Sequence, residues 1–224
     1  DGGEFYPSRI SLTPTDIDII NEIYKTDTVS DIDGNVYSAI TIGKQIWMKE
    51  DLKTTRFNDG ETIPLYPYPI MDWTDPRQLT PQYYPGFNGG GTYNFFAVST
   101  GKLCPTGWHV PTYGEFKLLI DTLGGEEIAG AALLSLSWTR YAGATNETCF
   151  SAHPEYNFNA WGSQGGYCHF WTSTESDYFD EDFYWEIFRS YILHIDCETS
   201  ETSIYPKPKP YLYQVRCIKD QKAP

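Results

Sequence analysis

Residues 103–116 read Leu103-Cys104-Pro105-Thr106-Gly107-Trp108-His109-Val110-Pro111-Thr112-Tyr113-Gly114-Glu115-Phe116. Thr112 and Glu115 stand three apart, the spacing at which a hydroxyl and a carboxylate cap each other's backbone amides at a helix start. Phe116, Leu119, Ile120 and Leu123 then recur at helical spacing and give that helix one apolar stripe. Gly124-Gly125 stops it, because glycine takes the left-handed position after a helix without strain. Pro105 and Pro111 stiffen the approach and hold Trp108 against the core. The stretch is a structural nucleus and has no arrangement of a catalytic site.

Upstream, residues 1–27 read as a leader. Thr13-Pro14-Thr15-Asp16 is a helix start with proline at the first helical position, and Ile17, Ile20 and Tyr24 share a face. From Thr28 the period changes to two. Thr28–Ile32 runs into Asp33-Gly34 and returns as Asn35–Ile42, and a turn at Gly43-Lys44 leads to Gln45–Met48, which predicts a three-strand meander. Asp31-x-Asp33-x-Asn35 mimics the opening of a calcium loop, but glycine is misplaced and position twelve is Ile42, so a plain turn is expected. Residues 58–91 are irregular and rich in Pro, Tyr and Gly, as functional or self-pinned loops are.

Downstream, Tyr93–Val98 is a short buried helix or strand, and Glu127–Leu134 is a second short helix with a small-residue face for close packing. Phe170–Thr174, Phe183–Phe188 and Ser190–Ile195 read as strands, Lys207 and Lys209 sit in a proline-rich turn, and Tyr211–Ile218 closes the chain as one strand.

Bulk properties narrow the function. Aromatics make up 17% of the 224 residues while Leu and Val are sparse, which suits irregular segments pinned by large amphipathic rings. A net charge of −14 with thinly spread Lys and Arg excludes a nucleic-acid partner. No run of 18 apolar residues exists, so no membrane span is expected. The chain opens on polar, glycine-rich residues, as a trimmed N-terminus does. Five cysteines without a C-x-x-C pair do not read as a zinc site and fit disulfides in an oxidising compartment. An odd count leaves at least one thiol outside any internal pair.

Thr28–Gly60, Thr100–Phe116 (TGKLCPTGWHVPTYGEF), Gly143–Ala152 (GATNETCFSA), Phe170–Glu175 (FWTSTE) and Val215–Asp220 (VRCIKD) together resemble the Fibrobacter succinogenes major paralogous domain family. The segments occur in family order over residues 28–220, so the chain divides into a leader (1–27), this domain (28–220) and a tail (221–224). The resemblance implies an α+β, C-type lectin-like fold of the sulfatase-modifying-factor branch, with a small twisted antiparallel sheet, two helices and long ordered loops. It also implies an extracytoplasmic protein, secreted or on the outer-membrane surface, with a lipid anchor upstream as one habit of the family. It pairs Cys104 with Cys217, and closing so long a span is worth roughly 4–5 kcal/mol. A Cys168–Cys197 bridge between neighbouring strands is a second expectation.

The chain departs from the family where Gly-Phe-Ser-Ala becomes Cys149-Phe150-Ser151-Ala152. It departs again over 176–210, where acids, aromatics and Ile replace a run rich in Asn, Tyr and Gly.

That second segment supplies the candidate site. Tyr178, Phe179, Phe183, Tyr184, Trp185, Phe188, Tyr191 and Tyr205 are interleaved with Glu175, Asp177, Asp180, Glu181 and Asp182. Exposed Tyr and Trp beside acids offer rigid area with a polar edge, which is the chemistry of a binding surface; rings roofing a thin sheet would produce the same pattern. Tyr178, Phe179, Phe183, Tyr184, Trp185, Tyr191 and Tyr205 are therefore taken as ligand-binding candidates for a glycan or protein. Asp177, Asp180 and Asp182 are weak calcium candidates on carboxylate count, and no other cofactor is expected. No catalytic residue is assigned. Cys168 and His169 are neighbours on a strand and point to opposite faces, His109 reads as hydrogen-bonded structure, and His153 and His194 have no ligand spacing around them. The expectation is a non-enzymatic surface binding or adhesion module. A sulfatase-modifying-factor-like enzyme and a pilus-tip or envelope component are the alternatives.

Overall fold

A computed structural model describes residues 13, 27–66, 79–86, 89–136, 143–154, 166–177 and 189–221. The helix expected after Thr13 and the strand expected over Phe183–Phe188 lie outside them. The meander forms as expected, with β1 (Thr28–Ser30), β2 (Val36–Ile42) and β3 (Gln45–Met48) paired antiparallel. Asp31 organises its first turn: Oδ1 accepts from the Asp33 and Asn35 amides at 2.9 Å each, and Oδ2 accepts from the Tyr37 hydroxyl at 2.5 Å. Asp33 turns the other way, to Arg56 and Thr55. Both carboxylates are occupied by hydrogen bonds within the protein.

β4 (Tyr83–Pro85) and β5 (Gly91–Tyr93) then form a hairpin inside the irregular region, and α1 (Phe95–Val98) follows with Asn94 as its cap. The nucleus contributes β6 (Trp108–His109) and α2 (Tyr113–Thr122). Its capping box is complete: the Glu115 amide donates to the Thr112 hydroxyl, and the Glu115 carboxylate accepts from the Thr112 amide. Gly124 and Gly125 take φ of 100° and 104° at its end. The small-faced second helix is α3 (Ala129–Leu133), where Gly130 donates its amide to the Ser200 carbonyl.

Three long strands follow, β7 (Tyr167–Glu175), β8 (Arg189–Asp196) and β9 (Thr202–Pro208), and two short ones end the chain, β10 (Tyr213–Gln214) and β11 (Ile218–Lys219). The strands make two sheets, ordered β1-β2-β3-β11-β6 and β4-β5-β10-β7-β8-β9. With three short helices among the described residues the class is α+β.

Two expectations need correction. Tyr211–Ile218 is not one strand, because β10 belongs to the larger sheet and β11 to the smaller. Residues 213–218 are buried without alternation, as a segment crossing between two packed sheets must be. Lys207 lies not in a turn but in β9, whereas Lys209 does lie in the turn that follows, closed by the Tyr211 amide donating to the Pro208 carbonyl. Pro206 and Pro208 are tolerated there because β9 is an edge strand, where a missing amide breaks no ladder.

The crossing segment is locked on both sides. Cys217 is bonded to Cys104, joining the last segment to the nucleus. Arg216, 1% exposed, is held by the Asp51 carboxylate and the Phe150 carbonyl, with its guanidinium 4.2 Å from the Phe150 ring centre. One core, around Trp171, Tyr93 and Phe95, lies on one face of the larger sheet. A second, around Phe116, Phe170 and Leu193, lies on the other under α2.

Candidate functional site

Strands β7, β8 and β9 carry the branched and aromatic residues that pack well on a pleated surface. Their alternation divides the side chains. Cys168 and Phe170, Leu193 and Ile195, and Ile204 face α2 and the second core. His169 and Trp171, Ile192 and His194, and Tyr205 take the opposite face, in the registers His169↔His194, Trp171↔Ile192 and Ile192↔Tyr205. At one end that face is covered: Trp171 and Ile192 are buried, and the Trp171 indole N–H donates to the Tyr93 carbonyl at 2.7 Å. At the other end the covering thins, and Tyr167 is 45% exposed.

The rings of this face form a continuous strip. Tyr205 lies 5.5 Å from His194, His194 lies 5.0 Å from His169, and His169 lies 5.0 Å from Tyr213, which packs on Trp171 at 5.1 Å. Tyr167 covers His194 at 4.9 Å. The Lys207 ammonium sits 5.1 Å from the Tyr205 ring centre and brings one cation to the rim.

Polar atoms converge within the strip. His194 Nδ1 is 3.0 Å from His169 Nε2 and 3.3 Å from the Tyr205 hydroxyl. Burial pushes His169 down to about 3, with Lys207 adding to the effect. Burial likewise lowers His194 to about 4, helped by His169 and Lys207 and opposed by Asp196. Both imidazoles are neutral at pH 7 and are poor general bases, since an effective base has a pKa near the working pH. Neutral imidazoles among phenols can donate and accept hydrogen bonds, and their flat faces can stack.

Of the residues singled out in the sequence, Tyr205 lies in the strip. Tyr191 does not. It sits one residue from Ile192 and so projects from the other face, edge-on to Tyr113 at the start of α2 with ring centres 5.1 Å apart. Asp177 is exposed just beyond β7. Tyr178, Phe179, Phe183, Tyr184 and Trp185, and with them Asp180 and Asp182, lie outside the described residues. Among the described residues no group of three or more His, Cys, Asp or Glu side chains is placed to hold a metal ion.

Cys168 and His169 do point apart, the thiol into the second core and the imidazole into the strip. Tyr167, His169, His194 and Tyr213 were missed as site residues. The alternation Tyr167-x-His169-x-Trp171 carried the signal for one strand, but the partner strand and its register did not follow from it.

The cysteines divide as follows. Cys104 and Cys217 form the bridge. The second expected bridge, Cys168–Cys197, is not formed: the two buried thiols approach to 3.7 Å without bonding. The register explains the gap, since Cys168 faces Ile195 and Cys197 lies two residues further on, a diagonal rather than a direct cross-strand position. Cys149 is exposed. His109 is bonded on both sides, Nδ1 to Asp220 at 2.6 Å and Nε2 to Glu115 at 3.0 Å, and serves to tie the last residues to α2.

A profile of the Fibrobacter succinogenes major domain (Fib_succ_major) matches residues 40–219. The chain belongs to the Fibrobacter succinogenes major domain family. The match takes in the nucleus, the strip and both bridged cysteines. It begins within β2, so β1 precedes it although β1 is part of the same sheet. No curated protein matches the chain, and no solved structure does. Among the described residues no helix is long and apolar enough to cross a membrane.

Proposed function

We propose that the protein is a non-enzymatic binding module of a C-type lectin-like fold, secreted or displayed on the outer-membrane surface, that captures a glycan or protein ligand. The observation that carries the proposal is the ring strip centred on His194, which packs against Tyr167, His169 and Tyr205, with Tyr167 exposed and Lys207 over the Tyr205 ring. Flat rings flanked by neutral N–H and O–H groups suit a sugar ring, which presents an apolar face and a rim of hydroxyls, so a glycan is the favoured ligand. The Cys104–Cys217 bridge supports an oxidising compartment. Four of the five cysteines are buried in the bridge or the core, which supports a role other than thiol chemistry.

The test is a glycan and protein array probed with three proteins: the wild type, Tyr167→Ala and Tyr184→Ala/Trp185→Ala. Tyr167→Ala removes an exposed ring and is expected to lose ligand capture while unfolding within about 2 °C of the wild type, as surface substitutions do. Undiminished capture by Tyr167→Ala would move the site away from the strip. Loss in the double variant alone would place it on the 178–188 segment.

A further inference from the structure

We propose that His169 Nε2 and His194 Nδ1 form a two-imidazole clamp for a late first-row dication of tetragonal preference, Ni2+ or Cu2+, at the rim of the β7–β8–β9 sheet. This goes beyond ligand capture by the strip and does not depend on it. The two histidines are direct cross-strand partners on one face of an antiparallel pair, so the β7–β8 ladder fixes their separation.

Their facing nitrogens are 3.0 Å apart, and with metal–nitrogen bonds of about 2.05 Å they subtend about 94° at a shared ion. That angle is close to the cis angle of a square-planar or octahedral centre and well short of the tetrahedral one, which favours Ni2+ and Cu2+ over Zn2+. A hydrogen bond between the facing nitrogens already leaves one of them as an acceptor, so only the other must be freed to bind. The proton now shared between Nε2 of His169 and Nδ1 of His194 is displaced by a change of tautomer. Each ring then keeps its single proton on its far nitrogen, and none is released.

The surroundings fit an ion with open positions. His169 is 6% exposed and His194 is half-buried, so the clamp has one fixed arm and one reachable from solvent. The Tyr205 hydroxyl, 3.3 Å from His194 Nδ1, is placed to hydrogen-bond a metal-bound water. No third His, Cys, Asp or Glu joins the pair among the described residues, and water fills the remaining positions. Asp196 favours a cation beside His194, whereas Lys207 opposes one. Lys207 therefore weakens the site, and its neutralisation should tighten it.

The experiment titrates chelator-treated protein with NiCl2 at pH 7.5, in a Cys149→Ser background that removes the exposed thiol. One saturable equivalent is expected by calorimetry. Binding should be at least about tenfold weaker in His194→Gln, since loss of a ligand costs no less than loss of a supporting partner. It should be unchanged in His153→Gln and tighter in Lys207→Gln. A measurement on the unsubstituted histidines guards against a misfolded variant: paramagnetic Ni2+ should broaden the ring resonances of His169 and His194 before those of His109 and His153. Absence of a saturable equivalent would overturn the proposal, as would binding indifferent to His194→Gln or broadening centred on another histidine.

Discussion

Replacing Asp51 by alanine should be among the most damaging single changes in the chain. Arg216 and Asp51 are 1% and 7% exposed, and the carboxylate takes bonds from Arg216 Nε at 3.0 Å, from Arg216 Nη2 and from Gln214 Nε2 at 3.0 Å. The guanidinium lies between the Phe150 and Phe170 rings, with no route to water. Without Asp51 the remaining acceptor among these contacts is the Phe150 carbonyl, which cannot balance a buried charge. Breaking a buried pair in this way costs about 3–5 kcal/mol. For a chain of this size about 1 kcal/mol moves Tm by 2–4 °C, so a fall of roughly 6–20 °C is expected.

Asp51→Leu combined with Arg216→Met removes both charges and should recover much of the loss, because the penalty belongs to the unpaired ion rather than to the missing bond. Thermal and urea unfolding of the two single variants and the double variant, followed by circular dichroism, closes the cycle. A fall below about 3 °C for Asp51→Ala would refute the reasoning. So would a double variant no more stable than Asp51→Ala.

Other tests are smaller. The Glu115 carboxylate, outweighing partial burial and helped by Asp220, raises His109 to about 9. A raised histidine stabilises the fold fully below its unfolded pKa of about 6.5, and that stability is lost as pH rises through about 9. Wild-type Tm should therefore fall between those values more steeply than that of His109→Gln, and parallel curves would exclude the linkage. Gly130→Ala would place a Cβ 2.3 Å from the Ser200 carbonyl oxygen, a backbone atom, and should cost on the order of 1–3 kcal/mol in urea unfolding. Cys149 holds φ at 59°, a region glycine enters without strain, so Cys149→Gly should gain about 1 kcal/mol; a loss would show that the thiol contributes to packing. Thiol titration of unreduced protein should find three thiols after unfolding and one, Cys149, in the native state. Finding a single thiol in the unfolded chain would mean that Cys168 and Cys197 had bonded.

The sequence by itself determined what is settled within a few residues. The Thr112–Glu115 box, the glycine stop after α2 and the turns of the meander are closed by neighbours in the chain, so residue types at fixed offsets reveal them. The family motifs added the Cys104–Cys217 bridge, which spacing alone left open. Tertiary structure decided whatever depends on register between distant strands: that His169 meets His194, that Tyr191 and Tyr205 face opposite ways, and that Cys168 and Cys197 meet on a diagonal. It also decided that a proline-bearing run could be a strand, because only its place at the edge of a sheet makes the missing amides harmless. A slip of one residue in pairing exchanges the two faces of a strand. That choice is made by the packing of both cores at once, and no short stretch of the chain contains it.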